Sequence, residues 1–124
     1  MTKTKAKGSG GSQIEISVLV PVMNEAGNIR PLIDEIAAAF AGRRFEIIYV
    51  DDASTDDSPA ELADSAADVP ELRVLRHARR AGQSAAIRTA LLRARGTLIA
   101  VLDGEGQNVP SELPNLEAAL LQTV

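Results

Sequence analysis

The 124-residue chain has a net charge of −4, no cysteine and only 2% aromatic residues, so any core must be aliphatic. Its length allows one domain at most. The acidic balance argues against a broad nucleic-acid surface, the missing thiols exclude disulfides and thiolate metal sites, and no apolar run approaches the roughly 20 residues of a membrane span.

Residues 1–12, "MTKTKAKGSGGS", are dense in Gly and Ser and read as a flexible, disordered basic arm. Lys3, Lys5 and Lys7 suit either a solvated tail or attraction to an anionic membrane surface. The basic residues run into glycines instead of an apolar stretch, so no signal peptide is read and a cytosolic location is the default. Residues 13–124 form the expected domain.

"EISVLVPV", from Glu15 to Val22, is nearly continuous in aliphatic residues and predicts a strand. "NIRPLIDEIAAAF" follows, with Ile29, Leu32, Ile33, Ile36 and Phe40 along one helical face. Asn28 is its expected cap, and Pro31 falls in the first turn, where no intrahelical donor is lost. "FEIIYVDD" predicts a second strand that ends in Asp51 and Asp52. The next helix, "SPAELADSAA", offers Ser58 as cap, Pro59 at the first helical position and Glu61 as the acid of a capping box. "LRVLRH" is a third strand. "QSAAIRTALLRARG" is a third helix, with Arg93 and Arg95 in its last turn and Gly96 as its C-terminal cap. "TLIAVLD" is a fourth strand, and "SELPNLEAALLQ" a last helix near Ser111.

The alternation predicts an α/β fold of parallel strands joined by right-handed helical crossovers and covered on both faces. In such sheets ligands collect at the carboxyl ends of strands. Those ends hold "PVMNEAG", "VDDASTDD", "RHARRAGQ" and "DGEGQNVP". Alternation along the second strand lets one of Asp51 and Asp52 face the crevice while the other braces a loop. Asp51, Ser54, Thr55 and Asp56 read as turn and cap chemistry, and Asp52 as a ligand to a base or ribose. Asp103 and Glu105 flank Gly104, and Gln107 adds a neutral oxygen. Two carboxylates and an amide oxygen are hard ligands suited to Mg²⁺ or Mn²⁺, and they leave coordination positions for a diphosphate. Neither the dinucleotide fingerprint G-x-G-x-x-G nor G-x-x-x-x-G-K-[ST] occurs, which argues against nicotinamide cofactors and P-loop hydrolysis. His77 reads as a surface residue at a strand end. Arg76, Arg79 and Arg80 read as a solvated loop, with phosphate contact as the alternative.

In this order and spacing, "SVLVPVMNEAGNI", "EIIYVDDASTDDS", "AGQSAAIRTALLRARG" and "IAVLDGEGQNVP" resemble the successive motifs of family 2 glycosyltransferases. The resemblance runs from about Ile16 to Leu121 and is closest to the dolichol-phosphate mannosyltransferase-like, or polyprenyl-phosphate sugar synthase, branch. It implies a Rossmann-like GT-A fold that binds a UDP- or GDP-linked sugar. It further implies sugar transfer to a lipid phosphate, with inversion, at the cytoplasmic face of a membrane. By that likeness Pro21, Met23 and Glu25 lie beside the nucleotide, and Val50 and Asp52 contact its base or ribose. Asp103, Gly104 and Glu105 match the D-x-D motif at the diphosphate and metal, and Gln107 a further metal-side position.

The chain departs from that pattern in four places. Met23 stands where the family usually has Tyr, Glu105 replaces the second Asp, Val109 replaces an acid, and Arg80 stands where Asn is frequent. The acceptor-side strands and the acid expected as general base would lie beyond Val124, so the expectation is a donor-binding half. A binding module without turnover is the competing reading. A signalling receiver is disfavoured, because the acid pair follows the second strand and every lysine lies in the first seven residues.

Overall fold

The computed structural model describes residues 13–102. The basic arm, the Asp103–Gln107 motif and the helix expected near Ser111 lie outside the described residues. Within them the predicted alternation forms in full: β1 (Ile16–Val22), α1 (Ile29–Ala39), β2 (Phe45–Asp51), α2 (Ser58–Asp68), β3 (Leu72–Arg76), α3 (Gln83–Arg93) and β4 (Leu98–Val101). The strands make one sheet in the order β3-β2-β1-β4, and every neighbouring pair is parallel. The longest register runs from Ile16 opposite Phe45 to Val22 opposite Asp51.

Strand alternation divides the core in two. Ile16, Val18, Val20, Ile47 and Tyr49 turn to the face where α1 packs Ile29, Leu32, Ile33 and Ile36 and α2 packs Leu62. Leu19, Ile48 and Val50 turn to the opposite face and meet Ala86 and Ala90 of α3. All of these are almost wholly buried, each large aliphatic side chain contributing about 1.5–3 kcal/mol by leaving water. Small alanines let α3 lie close to the sheet. β1 and β2 are buried along their whole length, as continuous apolar runs require. β3 is not: it pairs only with β2 among the described residues, and Val74 is 37% exposed.

Several helix ends differ from the sequence reading. Asn28 begins α1 but makes no side-chain cap; its amide donates to Glu25 Oε1 instead. The N–H groups at the start of α1 are satisfied by Glu61 of α2, whose carboxylate accepts from Gly27 N (2.7 Å) and Arg30 N (2.9 Å). Glu61 therefore caps the neighbouring helix, not its own. Ser58 is the first residue of α2, and its hydroxyl accepts from Glu25 N, which again ties the two helix starts together.

Gly96 does not cap α3 in a left-handed turn. The chain leaves the helix at Ala94 in an extended conformation, and Gly96 runs against β1. A Cβ on Gly96 would stand 2.6 Å from Ser17 N and 2.7 Å from Ser17 Oγ, so only glycine fits. Its N–H donates to Ser17 Oγ, and that hydroxyl donates to the buried Glu46 carboxylate. Glu46 also receives Arg73 Nη1 at 2.7 Å and Arg95 N at 2.7 Å. One acid thus fastens β1, β2, β3 and the approach to β4 at the amino-terminal edge of the sheet.

Candidate functional site

The sheet order sets where a ligand belongs. The chain runs outward from β1 to β2 and β3, then returns past β1 to β4. The carboxyl ends of β1 and β4 therefore flank the point where strand order reverses, the usual crevice for ligands in open α/β sheets. Pro21 sits beside it. Val22 O accepts from Asp52 N on the β2 side, and Leu19 O from Leu102 N on the β4 side. Odd-numbered residues of β1 thus turn their peptide groups towards β4, and among the described residues the last pair of that ladder is Leu19 opposite Val101. Pro21, which lacks an N–H, lies past the last β1–β4 pair among the described residues.

The loop after β1 is latched to the loop after β2. Asn24, at φ 57, accepts from Thr55 N on its side-chain oxygen (2.8 Å), and its own N–H donates to Ser54 Oγ (2.9 Å). Ala26 N donates to Asp56 Oδ2. The residues expected as turn formers, Asp51, Ser54, Thr55 and Asp56, all serve in this latch or its support; Asp51 Oδ1 accepts from Ser54 N. Asp51 Oδ2 is buried without a hydrogen-bond partner among the described residues, with Arg76 Nε 3.7 Å away. Asp51 thus braces the β2–α2 loop.

Asp52 turns to the other face and is also buried. Its Oδ1 lies 2.8 Å from His77 Nδ1 and accepts from Ala81 N at 2.8 Å, and its Oδ2 accepts from Gly82 N at 2.9 Å. Gly82, at φ +101, precedes α3 in a conformation that favours glycine. Burial alone would raise the Asp52 pKa, but the bond from His77 and the two amide donors outweigh it and hold the carboxyl below its ordinary value. It is an anion fixed at the carboxyl edge of the sheet.

The loop after β3 reaches across this edge. Arg80 Nη2 lies 3.1 Å from Met23 Sδ, so two residues that depart from the family pattern meet each other. Arg76 donates to Ser54 O. Pro21 and Val50 are opposite one another in the β1–β2 register. The structure therefore gathers Pro21, Met23, Val50 and Asp52 at one end of adjoining strands. Glu25 is turned aside: its N–H meets Ser58 Oγ and its carboxylate meets the Asn28 amide. Asp103, Gly104, Glu105 and Gln107 lie outside the described residues, directly after β4 and Leu102.

His77 is not the surface residue expected from sequence. Its side chain is only 16% exposed, and both ring nitrogens have partners, the second being Thr89 Oγ1 of α3 at 2.8 Å. The available signal was its place one residue past a strand, alongside the strand that ends in the acid pair. Among the described residues no group of three or more acidic, histidine or cysteine side chains could hold a metal ion. The oxygen donors at Asp103, Glu105 and Gln107 have the right chemistry for Mg²⁺ or Mn²⁺.

The family model for Glycosyl transferase family 2 matches residues 17–123. The chain belongs to this family. It is 38% identical over 113 residues to the dodecaprenyl-phosphate galacturonate synthase of Rhizobium johnstonii, covering 86% of this chain and 32% of that protein. It is 41% identical over 105 residues to the undecaprenyl-phosphate 4-deoxy-4-formamido-L-arabinose transferase of Pseudomonas paraeruginosa, covering 82% and 31%. The chain spans about a third of the length of these curated relatives. Among solved structures, the mannosyltransferase PcManGT from Pyrobaculum calidifontis, in complex with GDP-Man and Mn²⁺, superposes with a TM-score of 0.68 at 30% identity, covering 75% of this chain and 28% of that one. S. aureus TarS 1-349 in complex with UDP-GlcNAc shares the fold, with a TM-score of 0.71 at 24% identity over 89% of this chain and 32% of that one. The family 2 sheet is the mainly parallel, Rossmann-like arrangement expected for GT-A proteins.

Proposed function

We propose that this chain is the donor-binding part of a glycosyltransferase. It would take a sugar from a UDP- or GDP-linked donor and pass it to a polyprenyl phosphate at the cytoplasmic face of a membrane. The observation that carries the reading is the buried Asp52 anion at the carboxyl edge beside the switch point, held by the loop after β3, which also meets Met23 in the loop after β1. Polyprenyl-phosphate relatives support the acceptor class, and the solved complex with GDP-Man and Mn²⁺ supports a metal-assisted donor.

In this reading Met23 offers apolar surface beside the nucleoside over the buried Pro21 and Val50, Glu25 borders it, and Asp52 accepts one of its hydrogen-bond donors. Asp103 and Glu105, with Gln107, would hold Mg²⁺ or Mn²⁺, and Gly104 leaves room for the diphosphate. The ion, when bound, offsets the charge of the diphosphate. No helix among the described residues is long and apolar enough to cross a membrane.

Titration calorimetry with UDP- and GDP-sugars, with and without Mg²⁺ or Mn²⁺, tests this. Metal-dependent binding by the wild type, lost in Asp103→Ala, is the expected result. Absence of metal-dependent heat with either nucleotide at millimolar ligand would overturn the reading. Donor binding without transfer to polyprenyl phosphate would mark a binding module, the outcome that Glu105 and Val109 favour.

A further inference from the structure

His77 has a place in the structure that the proposed site does not yet use. Its peptide N–H donates to Asp51 O, so the β2–β3 ladder continues one residue past β3 and fixes the base of the side chain. The imidazole then spans two elements: Nδ1 meets Asp52 at the end of β2, and Nε2 meets Thr89 on α3. A carboxylate only accepts hydrogen bonds, so the ring carries its proton on Nδ1.

The proton inventory around the ring adds a second constraint. Thr89 Oγ1 lies 3.0 Å from Ala85 O and 2.8 Å from His77 Nε2. One hydroxyl proton cannot serve both. With Nε2 protonated, Thr89 donates to Ala85; with Nε2 bare, Thr89 turns its proton to the ring. In either state Nδ1–H still points at Asp52. Thr89 absorbs the difference, and the bond to the acid is kept.

Two carboxylate oxygens offer about four acceptor positions. On Asp52, His77 Nδ1 and Ala81 N take Oδ1, and Gly82 N takes one position on Oδ2. One position, on Oδ2, has no partner among the described residues. We propose that His77 is a positioning residue that clamps Asp52 so that Oδ2 accepts one N–H or O–H of the nucleoside. The inference rests on the donor-site reading above and adds the residue that sets the angle of its anion. A carboxylate free to rotate would offer its oxygens to water or to several donors; one locked by three bonds selects a single donor in a single direction.

Two substitutions separate this role from simple support. Asn at position 77 places an amide N–H near the former Nδ1 and keeps the bond to Asp52, but cannot reach Thr89. Gln places its amide near the former Nε2 and keeps Thr89, but not Asp52. UDP and GDP affinities in the presence of Mn²⁺ are measured on the full chain for wild type, His77→Ala, His77→Asn and His77→Gln, together with melting temperatures. His77→Ala and His77→Gln should each lose about tenfold in affinity, the loss expected for one charge-assisted hydrogen bond. His77→Asn should recover most of that loss, even if it melts no higher than the Gln variant. Equal affinity in the Asn and Gln variants, or affinity that simply follows melting temperature, overturns the positioning role. Absence of UDP and GDP binding by the wild type overturns the donor-site reading and this inference with it. That result is distinct from a wild type that binds while Asn and Gln behave alike.

Discussion

Ala53 adopts φ 62, a left-handed conformation that costs a residue with a Cβ about 1–2 kcal/mol. It follows the acid pair directly, and the turn lets Asp51 Oδ1 reach Ser54 N. Glycine would remove the steric cost while adding freedom to the unfolded chain, worth about 0.4–1 kcal/mol the other way. Ala53→Gly should therefore raise stability by about 0.5–1 kcal/mol, read by urea denaturation. A destabilised variant would show that the Ala53 methyl contributes packing that outweighs the backbone strain. The sequence displayed the acids here but not their assignments. Asp51 and Asp52 read as one inward and one bracing residue; Asp51 braces the β2–α2 loop, and Asp52, on the opposite face, also holds the loop after β3. That depends on Ala81, Gly82 and His77, brought in from 25 or more positions away by β3 and α3. No local pattern encodes such a partner.

Elements were legible where periodicity carries the signal, and less so at their ends. The apolar stripe of α1 and the buried runs of β1 and β2 needed only spacing to be found. Their caps needed neighbours. Glu61 fits a local capping box in sequence, but the α1–α2 packing brings two N–H groups of the adjacent helix start within reach, and these win its carboxylate. Gly96 likewise reads as a helix stop, although its real constraint is the Ser17 backbone beside it. Glu61→Ala should destabilise the protein by about 1–2 kcal/mol, as losing a charged cap does. Amide exchange at Gly27 and Arg30 should accelerate more than exchange in the centre of α1. Unchanged protection at those two amides would mean that other groups cap α1.

Across the whole fold, three carboxyls among the described residues resist protonation, the buried Glu46 and Asp52 and the exposed Asp56. Glu46 and Asp52 lie at opposite edges of the sheet, and both are held below their ordinary pKa values. For Glu46, burial pushes upward, but the Ser17 hydroxyl, the Arg95 N–H and Arg73 together outweigh it. The folded state therefore resists protonation where the unfolded chain accepts it. As pH falls, the unfolded state binds protons first, so stability falls with it. The contribution is fully present above the ordinary values of 4.5 for Glu46 and 3.8 for Asp52, and is lost as pH drops through the lower folded values. Urea denaturation from pH 7 downwards should show nearly constant stability until about pH 4.5, then a decline. Glu46→Gln should lose about 2–4 kcal/mol at neutral pH, because Ser17, Arg73 and Arg95 lose their charged acceptor. Its curve should also fall less steeply in acid, since one of the linked protons is gone. A Glu46→Gln curve parallel to the wild type throughout would show that Glu46 titrates alike in both states. The acid response would then belong to Asp52 and the ligand edge, not to the clamp at the other end of the sheet.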